Sequence, residues 1–321
     1  MCQIIFLNPF PKTLITGGIK TCYSHADLLV ELGFKVKVFQ PDGPPEWLPP
    51  KLQALTSITF AAGVDDTLVF PEVLNGWLAD MAKTPTAAKK VMFCQNQYYM
   101  FSYGFTAEAN AEMGFTHFIA PSAVAKRMIE SVLKLRGVSV IPPIVDPGLF
   151  FPHEKTMQIA TVPRKFPWLP GGIPAQATLL QTIFALKYPH LRSVSWQMLE
   201  NKSEQETVAI IGRSMVFLAL SYMEACPLVP LEAMASGCIV VGYTGYGGLE
   251  YASSQNGFWF SPEQLEEVVD TIATVIEGLS RGDQRLIQMQ EAGMATAARF
   301  SKQHTKEALK QVYSLFAKPS M

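Results

Sequence analysis

Glu224-Ala-Cys-Pro-Leu-Val-Pro-Leu-Glu232-Ala-Met-Ala-Ser-Gly-Cys-Ile-Val-Val241 is the stretch on which the reading of this chain turns. Just before it, Val216–Leu220 reads as a strand within a short apolar run, the mark of a strand buried on both faces. Leu228–Ala235 carries a helical pattern. Cys238–Val241 is a second strand-like run. Strand, helix and strand in so few residues make a parallel crossover unit, and that unit implies an α/β fold.

The same alternation extends in both directions. Toward the N-terminus, Cys2–Leu7 and Lys35–Phe39 read as strands, with a helical pattern over Tyr23–Leu32 that ends at Gly33. Val91–Cys94 and Phe118–Ala120 are further strands, and Ser122 N-caps a helix predicted to run to Leu135. A second series holds strands at Gln158–Val162, Ser195–Leu199 and Gly257–Phe260, with helices at Ala175–Lys187 and Glu204–Ile211. Three helical patterns close the chain, over Pro262–Leu279, Gln284–Phe300 and Lys302–Phe316. Between the two series Pro142, Pro143, Pro147 and Pro152 surround Asp146. Proline fixes φ and removes a hydrogen-bond donor, so this segment reads as a linker. The expected boundaries are 1–148, 149–300 and a final helix at 301–321.

Composition narrows the function classes. A chain of 321 residues with 49% hydrophobic and 17% charged residues has the material for two cores. A net charge of -1 gives no global attraction to nucleic acid, so no nucleic-acid partner is expected. The five cysteines are odd in number and widely spaced, which argues against a disulfide framework or a zinc site and fits a reducing, cytoplasmic setting. Met1–Lys12 lacks a basic region and is broken by prolines, so no secretion signal is expected. The run Met215–Leu220 is far too short to span a bilayer, while a slightly positive mean hydropathy leaves room for contact with the inner face of a membrane.

Glu224 follows a strand, on the side where open α/β sheets bind ligands, and Glu232 lies one turn into the next helix. Two acceptors so placed can hold hydroxyls at two ends of an elongated polyol. The same spacing also arises from solvated acids near a helix N-terminus. Gly242-Tyr-Thr-Gly245-Tyr-Gly247-Gly248-Leu-Glu250-Tyr251 follows a strand and reads as a glycine-rich loop before a helical pattern. Such a loop brings backbone N–H groups close to an anion, or is simply a tight turn.

With these residues in view, the chain resembles the retaining glycosyltransferases of family 4, whose pattern is Glu-x7-Glu followed by Ala-Met-Ala-x-Gly-x-x-Val-Val. The resemblance implies a GT-B fold: two Rossmann-like domains facing across a cleft, with the last helix crossing back to the first domain. It implies transfer of a hexosyl or deoxyhexosyl group from a nucleoside-diphosphate sugar to a hydroxyl acceptor, in polysaccharide or glycoconjugate synthesis. Residues 1–148 would take a glycan or lipid-linked glycan acceptor, and 149–300 the nucleotide sugar. Glu224 would bind the donor sugar, Glu232 the ribose, and Gly245, Gly247, Gly248 and Glu250 the sugar and diphosphate. Arg164 and Lys165, after a strand, would stabilise the leaving diphosphate, and no metal or other cofactor is required. The chain departs from the pattern after Glu224, where Ala225, Cys226 and Pro227 stand in place of Gly-Phe-Gly. Lost glycines change how closely backbone approaches a sugar.

In the first half, Thr16-Gly17-Gly18-Ile19-Lys20 opens a helix, and the resemblance places Gly17, Gly18 and Lys20 near the donor phosphates. Gln95, Asn96 and Tyr98 are expected on the acceptor side. Amides bind hydroxyls but are not bases near neutral pH. His25 and His117 read as structural, and no base is assigned. Other readings keep the fold and change the chemistry. They are an epimerase, a phosphorylase, or a nucleotide-sugar-binding subunit with little turnover.

Overall fold

The computed structural model describes residues 2–163 and 176–319. The chain divides into two units, one of residues 1–143 with 303–321, the other of 144–302. The first runs β1 (Ile4–Leu7), α1 (Gly17–Glu31), β2 (Val36–Phe39), α2 (Pro50–Gln53), β3 (Thr56–Ser57) and β4 (Thr67–Pro71). It continues with α3 (Trp77–Lys83), β5 (Lys89–Phe93), α4 (Gln97–Ser102), α5 (Ala107–Met113), β6 (Phe115–Ala120), α6 (Ala123–Ser131) and β7 (Val138–Val140). Among the described residues its seven strands form one parallel sheet in the order β3-β2-β1-β4-β5-β6-β7.

Local chemistry sets the element ends. Thr16 caps α1 by accepting from the Ile19 N–H, and Gly33, at a φ of +85°, ends it. The Gly33 N–H donates to the Val30 carbonyl and the Phe34 N–H to the Leu29 carbonyl, the paired bonds of a Schellman stop. Ser122 caps α6 as expected, accepting from the Ala125 N–H at 3.0 Å. The helix ends at Ser131, short of Leu135, and Lys134 at a φ of +57° turns the chain away. Strand β4 has no counterpart in the sequence reading. Only Leu68, Val69 and Phe70 are apolar there, and Pro71 is tolerated because it ends the strand.

The second unit runs β8 (Thr156–Thr161), α7 (Gln176–Lys187), β9 (Ser195–Met198), α8 (Glu204–Arg213), β10 (Ser214–Glu224) and α9 (Leu228–Ala235). It ends with β11 (Ile239–Tyr246), β12 (Gly257–Trp259), α10 (Leu265–Ser280) and α11 (Gln284–Ala298). Its strands, also parallel, lie in the order β12-β11-β10-β8-β9. Alternation along β10 feeds two cores. Val216, Leu218 and Leu220 pack with Leu180 and Ile272 on one face, and Phe217 and Ala219 pack with Met234 and Ala297 on the other. The last helix, α12 (Lys302–Tyr313), returns to the first unit. Tyr313 is fully buried 6.1 Å from the Phe6 ring, and the Thr305 hydroxyl donates to the Pro142 carbonyl.

Lys155 ties the edge of the second unit together. Its ammonium donates to the carbonyls of Gly212, Ser214 and Ser236 at 2.9, 2.8 and 2.6 Å, joining the ends of α8 and α9 to the start of β10. Lys155→Met keeps the stem and leaves those acceptors without their charged donor. Removing one partner of such bonds costs about 2 kcal/mol. We expect a lower urea midpoint with an unchanged denaturant slope.

Candidate active site

In an open α/β sheet, ligands bind outside the carboxyl ends of the strands where the strand order reverses. In the second unit this switch lies between β8 and β10, and in the first between β1 and β4. Most of the expected site residues of each unit gather at these edges.

In the second unit Glu224 is the last residue of β10, not a loop residue. The strand continues past Leu220 because β11 continues beside it, pairing Leu220 with Tyr243, Ser221 with Thr244 and Glu224 with Tyr246. A register shift between Ser221 and Glu224 re-aims the strand end, where Met223 takes a φ of +48°. Gly242 and Gly245, expected in a loop, are also within β11. Only Gly247–Glu250 leave the sheet, as a single 3-10 turn that leads to β12 with no α-helix between. The glycines serve close approach. A Cβ on Gly247 would lie 2.2 Å from the Glu224 carbonyl oxygen and 2.4 Å from the Ala225 carbonyl carbon. A Cβ on Gly245 would lie 2.7 Å from that of Ser221. The two strand ends touch backbone to backbone, and no larger residue fits.

Ala225-Cys226-Pro227 is held from behind. The buried Tyr251 hydroxyl donates to the Pro227 carbonyl at 2.8 Å, and its ring packs edge-on against Trp259 and Phe300. Burial pushes the Cys226 thiol pKa up, and the carboxylates of Glu250 and Glu224 push it further. Gly247 thus lies against the Glu224–Ala225 peptide, and Gly248 beside the Tyr251 ring that holds Pro227. Glu232 is half-buried one turn into α9. Arg164 and Lys165 lie outside the described residues.

In the first unit Gly17 and Gly18 are the first two residues of α1, and Lys20 is exposed on its first turn. Gln95 follows β5, and its amide would lie 3.3 Å from a Cβ on Gly18. Together with Asn8, Phe10, Pro71 and Phe93 these two line a small pocket at the switch point. Asn96 caps α4 by accepting from the Tyr98 N–H at 3.1 Å. His25 is buried, and burial lowers its pKa to about 4, so the ring is neutral. The His117 ring is hydrogen-bonded to Ser139 on the neighbouring strand.

Sequence reasoning missed Glu72. It follows β4, is 4% exposed, and accepts the Asn96 N–H at 2.8 Å. Burial raises its pKa to about 7, against the pull of backbone N–H donors at Glu72, Gln95 and Asn96. A lone glutamate after an unrecognised strand carries no motif.

Residues 181–293 match the family described as glycosyl transferases group 1. The second unit carries a group 1 glycosyl transferase domain. Along nearly its whole length the chain is similar to an alpha-1,6-glucosyltransferase of Actinobacillus pleuropneumoniae, 25% identical over 93% of this chain and 91% of the relative. Among solved structures it is similar to a glycosyltransferase from Rickettsia africae, at 16% identity and a TM-score of 0.73 over 99% of both chains. It is also similar to HepE of Anabaena in complex with UDP-glucose, at 15% identity and a TM-score of 0.71 over 98% of this chain and 99% of that one. These structural likenesses give the fold, GT-B. The chain is a glycosyltransferase of group 1 type. Among the described residues of the transferase, no helix is long and apolar enough to cross a membrane.

Two outcomes follow from this geometry. Gly247→Ala must part the two strand ends, at a cost of about 1–3 kcal/mol read from chemical denaturation. Glu72 is protonated more readily in the folded chain, at about 7, than a free glutamate near 4.3. Its contribution to stability is full below the unfolded value and is lost as pH rises through about 7. Melting of the wild type and Glu72→Gln across pH 5 to 8 should show the variant gaining relative stability as pH rises, by about 3 kcal/mol at most.

Proposed function

We propose that the transferase moves a sugar from a nucleoside-diphosphate sugar to a hydroxyl of a glycan or lipid-linked glycan, with retention of anomeric configuration. The observation that carries this reading is the approach of the Gly247–Glu250 turn to Glu224 at the carboxyl ends of β10 and β11, in the unit that holds the group 1 domain. Glu224 and Glu250 offer carboxylate acceptors to sugar hydroxyls. The Gly247–Glu250 turn brings backbone N–H groups close to a diphosphate. Glu232, one turn into α9, accepts from the ribose. The name of the Actinobacillus relative specifies an α-linkage, and an α-linked product from an α-linked nucleotide sugar is retention.

In the proposed reaction the bond from the anomeric carbon to the diphosphate breaks, and its electron pair leaves with the diphosphate. A bond to the acceptor oxygen forms, and the hydroxyl proton passes to a phosphate oxygen of the leaving group. Arg164 and Lys165 take up the charge that grows there. Gly17, Gly18 and Lys20 add contacts to the donor phosphates. Gln95, Asn96 and Tyr98 serve the acceptor, with neutral amides suited to hydroxyls. No resident metal is assigned to this step.

A melting screen against UDP-, GDP-, dTDP- and ADP-sugars tests the reading. One nucleotide series at 100 times its Kd should stabilise the chain by about 2.7 kcal/mol. Glu232→Ala should weaken free nucleoside diphosphate and nucleotide sugar alike, whereas Glu224→Ala should weaken mainly the sugar conjugate. Release of nucleoside diphosphate should continue in EDTA. A chain that no nucleotide sugar stabilises, or that binds one without ever turning it over, contradicts the proposal.

A further inference from the structure

Glu72 is costly where it sits. A carboxyl group 4% exposed loses its hydration, and a well-packed apolar side chain of similar volume would carry no such penalty. What the carboxyl touches is the backbone of one turn. It accepts the Asn96 N–H at 2.8 Å and faces the N–H of Gln95. That turn aims two side chains in different directions. The Gln95 amide lies against Gly18 at the mouth of the switch-point pocket, and the Asn96 side chain turns back to cap α4. Gln97, the next residue, is fully buried with neither amide atom hydrogen-bonded. Two expensive polar groups flanking one short turn, Glu72 across from it and Gln97 at its end, mark a conformation held for a purpose other than stability.

We propose that Glu72 is the positioning residue of the acceptor-side turn: by gripping the backbone at Gln95 and Asn96, it fixes the Gln95 amide against α1 and so sets how the acceptor hydroxyl is held. This role rests on the reading of Gln95 and Asn96 as acceptor-side residues, and adds the group that holds them. Glu72 touches neither substrate. It acts through the turn, as a carboxyl oxygen that accepts backbone N–H bonds can, in either protonation state. The Cys94 thiol is the titratable neighbour whose pKa Glu72 raises, after burial, and it is neutral and buried. It offers no competing charge to the turn.

The test compares full-length wild type with Glu72→Ala, Glu72→Asp and Glu72→Gln by amide hydrogen exchange and steady-state transfer. Glu72→Ala removes the acceptor atoms, Glu72→Asp withdraws them by one methylene, and Glu72→Gln keeps one oxygen in place. Exchange at the Asn96 amide should speed up roughly 10- to 100-fold in Ala and Asp, while amides of β4 and β5 stay protected. Glu72→Gln should keep the wild-type rate to within a few-fold. If Glu72→Ala loses protection across the whole sheet, the Asp variant carries the comparison.

For transfer, UDP-glucose is the donor and p-nitrophenyl glucoside the acceptor probe. The KM for the acceptor should rise roughly 10-fold or more in Ala and Asp and be restored in Gln, with the KM for UDP-glucose unchanged. Unchanged Asn96 exchange in both Ala and Asp overturns the proposal, and so does a rise of both KM values together. A wild type that forms no product with this pair counts against the donor and acceptor reading alone, and the exchange rates then decide the positioning role by themselves.

Discussion

The backbone contact between Gly247 and the Glu224–Ala225 peptide is the constraint on which the rest of the second unit's site depends. With no Cβ at 247, the turn after β11 closes onto the end of β10 at a distance that any side chain would block. This contact sets the Gly247 backbone against the Glu224–Ala225 peptide and brings the turn that ends in Glu250 to the end of β10. Gly242 performs the same service lower in the sheet. Its Cβ position lies 2.1 Å from the Ala219 carbonyl oxygen, so β10 and β11 pack closely well before they reach the site. Local backbone strain is stored at the same end, where Met223 and Tyr246 hold positive φ without being glycine.

The same contact explains how Ala225-Cys226-Pro227 is accommodated. The glycine that makes close approach possible is on β11's side, at 247. The β10 side is then free to carry ordinary residues, provided that something fixes them. Tyr251 does so through the Pro227 carbonyl, and its own ring is wedged against Trp259 and Phe300. The segment after Glu224 is thus backed by a wall of packed aromatic side chains. The first unit solves the parallel problem differently. Its turn after β5 is gripped by a buried carboxylate, and its glycines open α1.

Much of the α/β plan was legible in the sequence because parallel strands buried on both faces are written as unbroken apolar runs, as in Ile4–Leu7 and Val216–Leu220. The Glu-x7-Glu spacing and its alanine-rich helix were legible for the same reason. They are local. What escaped was created by pairing at a distance. Ser221, Tyr222, Met223 and Glu224 have no apolar run, and become strand only because β11 extends beside them. The glycine-rich segment 242–251 looked like a loop because glycine disfavours strands in general, yet here glycine is what lets two strands approach. Strand β4 was hidden by its brevity and its terminal proline, and Glu72 was hidden with it.

The central claim is that a nucleotide sugar binds at the carboxyl edge of β10 and β11. Its most direct test is a crystal structure of the transferase grown with UDP-glucose. The account predicts the ribose hydroxyls within hydrogen-bond reach of Glu232, about 2.5–3.0 Å between oxygens. It places the glucose hydroxyls at Glu224 and the diphosphate against the Gly247–Gly248 backbone. A ribose lying away from Glu232, or a diphosphate lying away from the Gly247 turn, would contradict it.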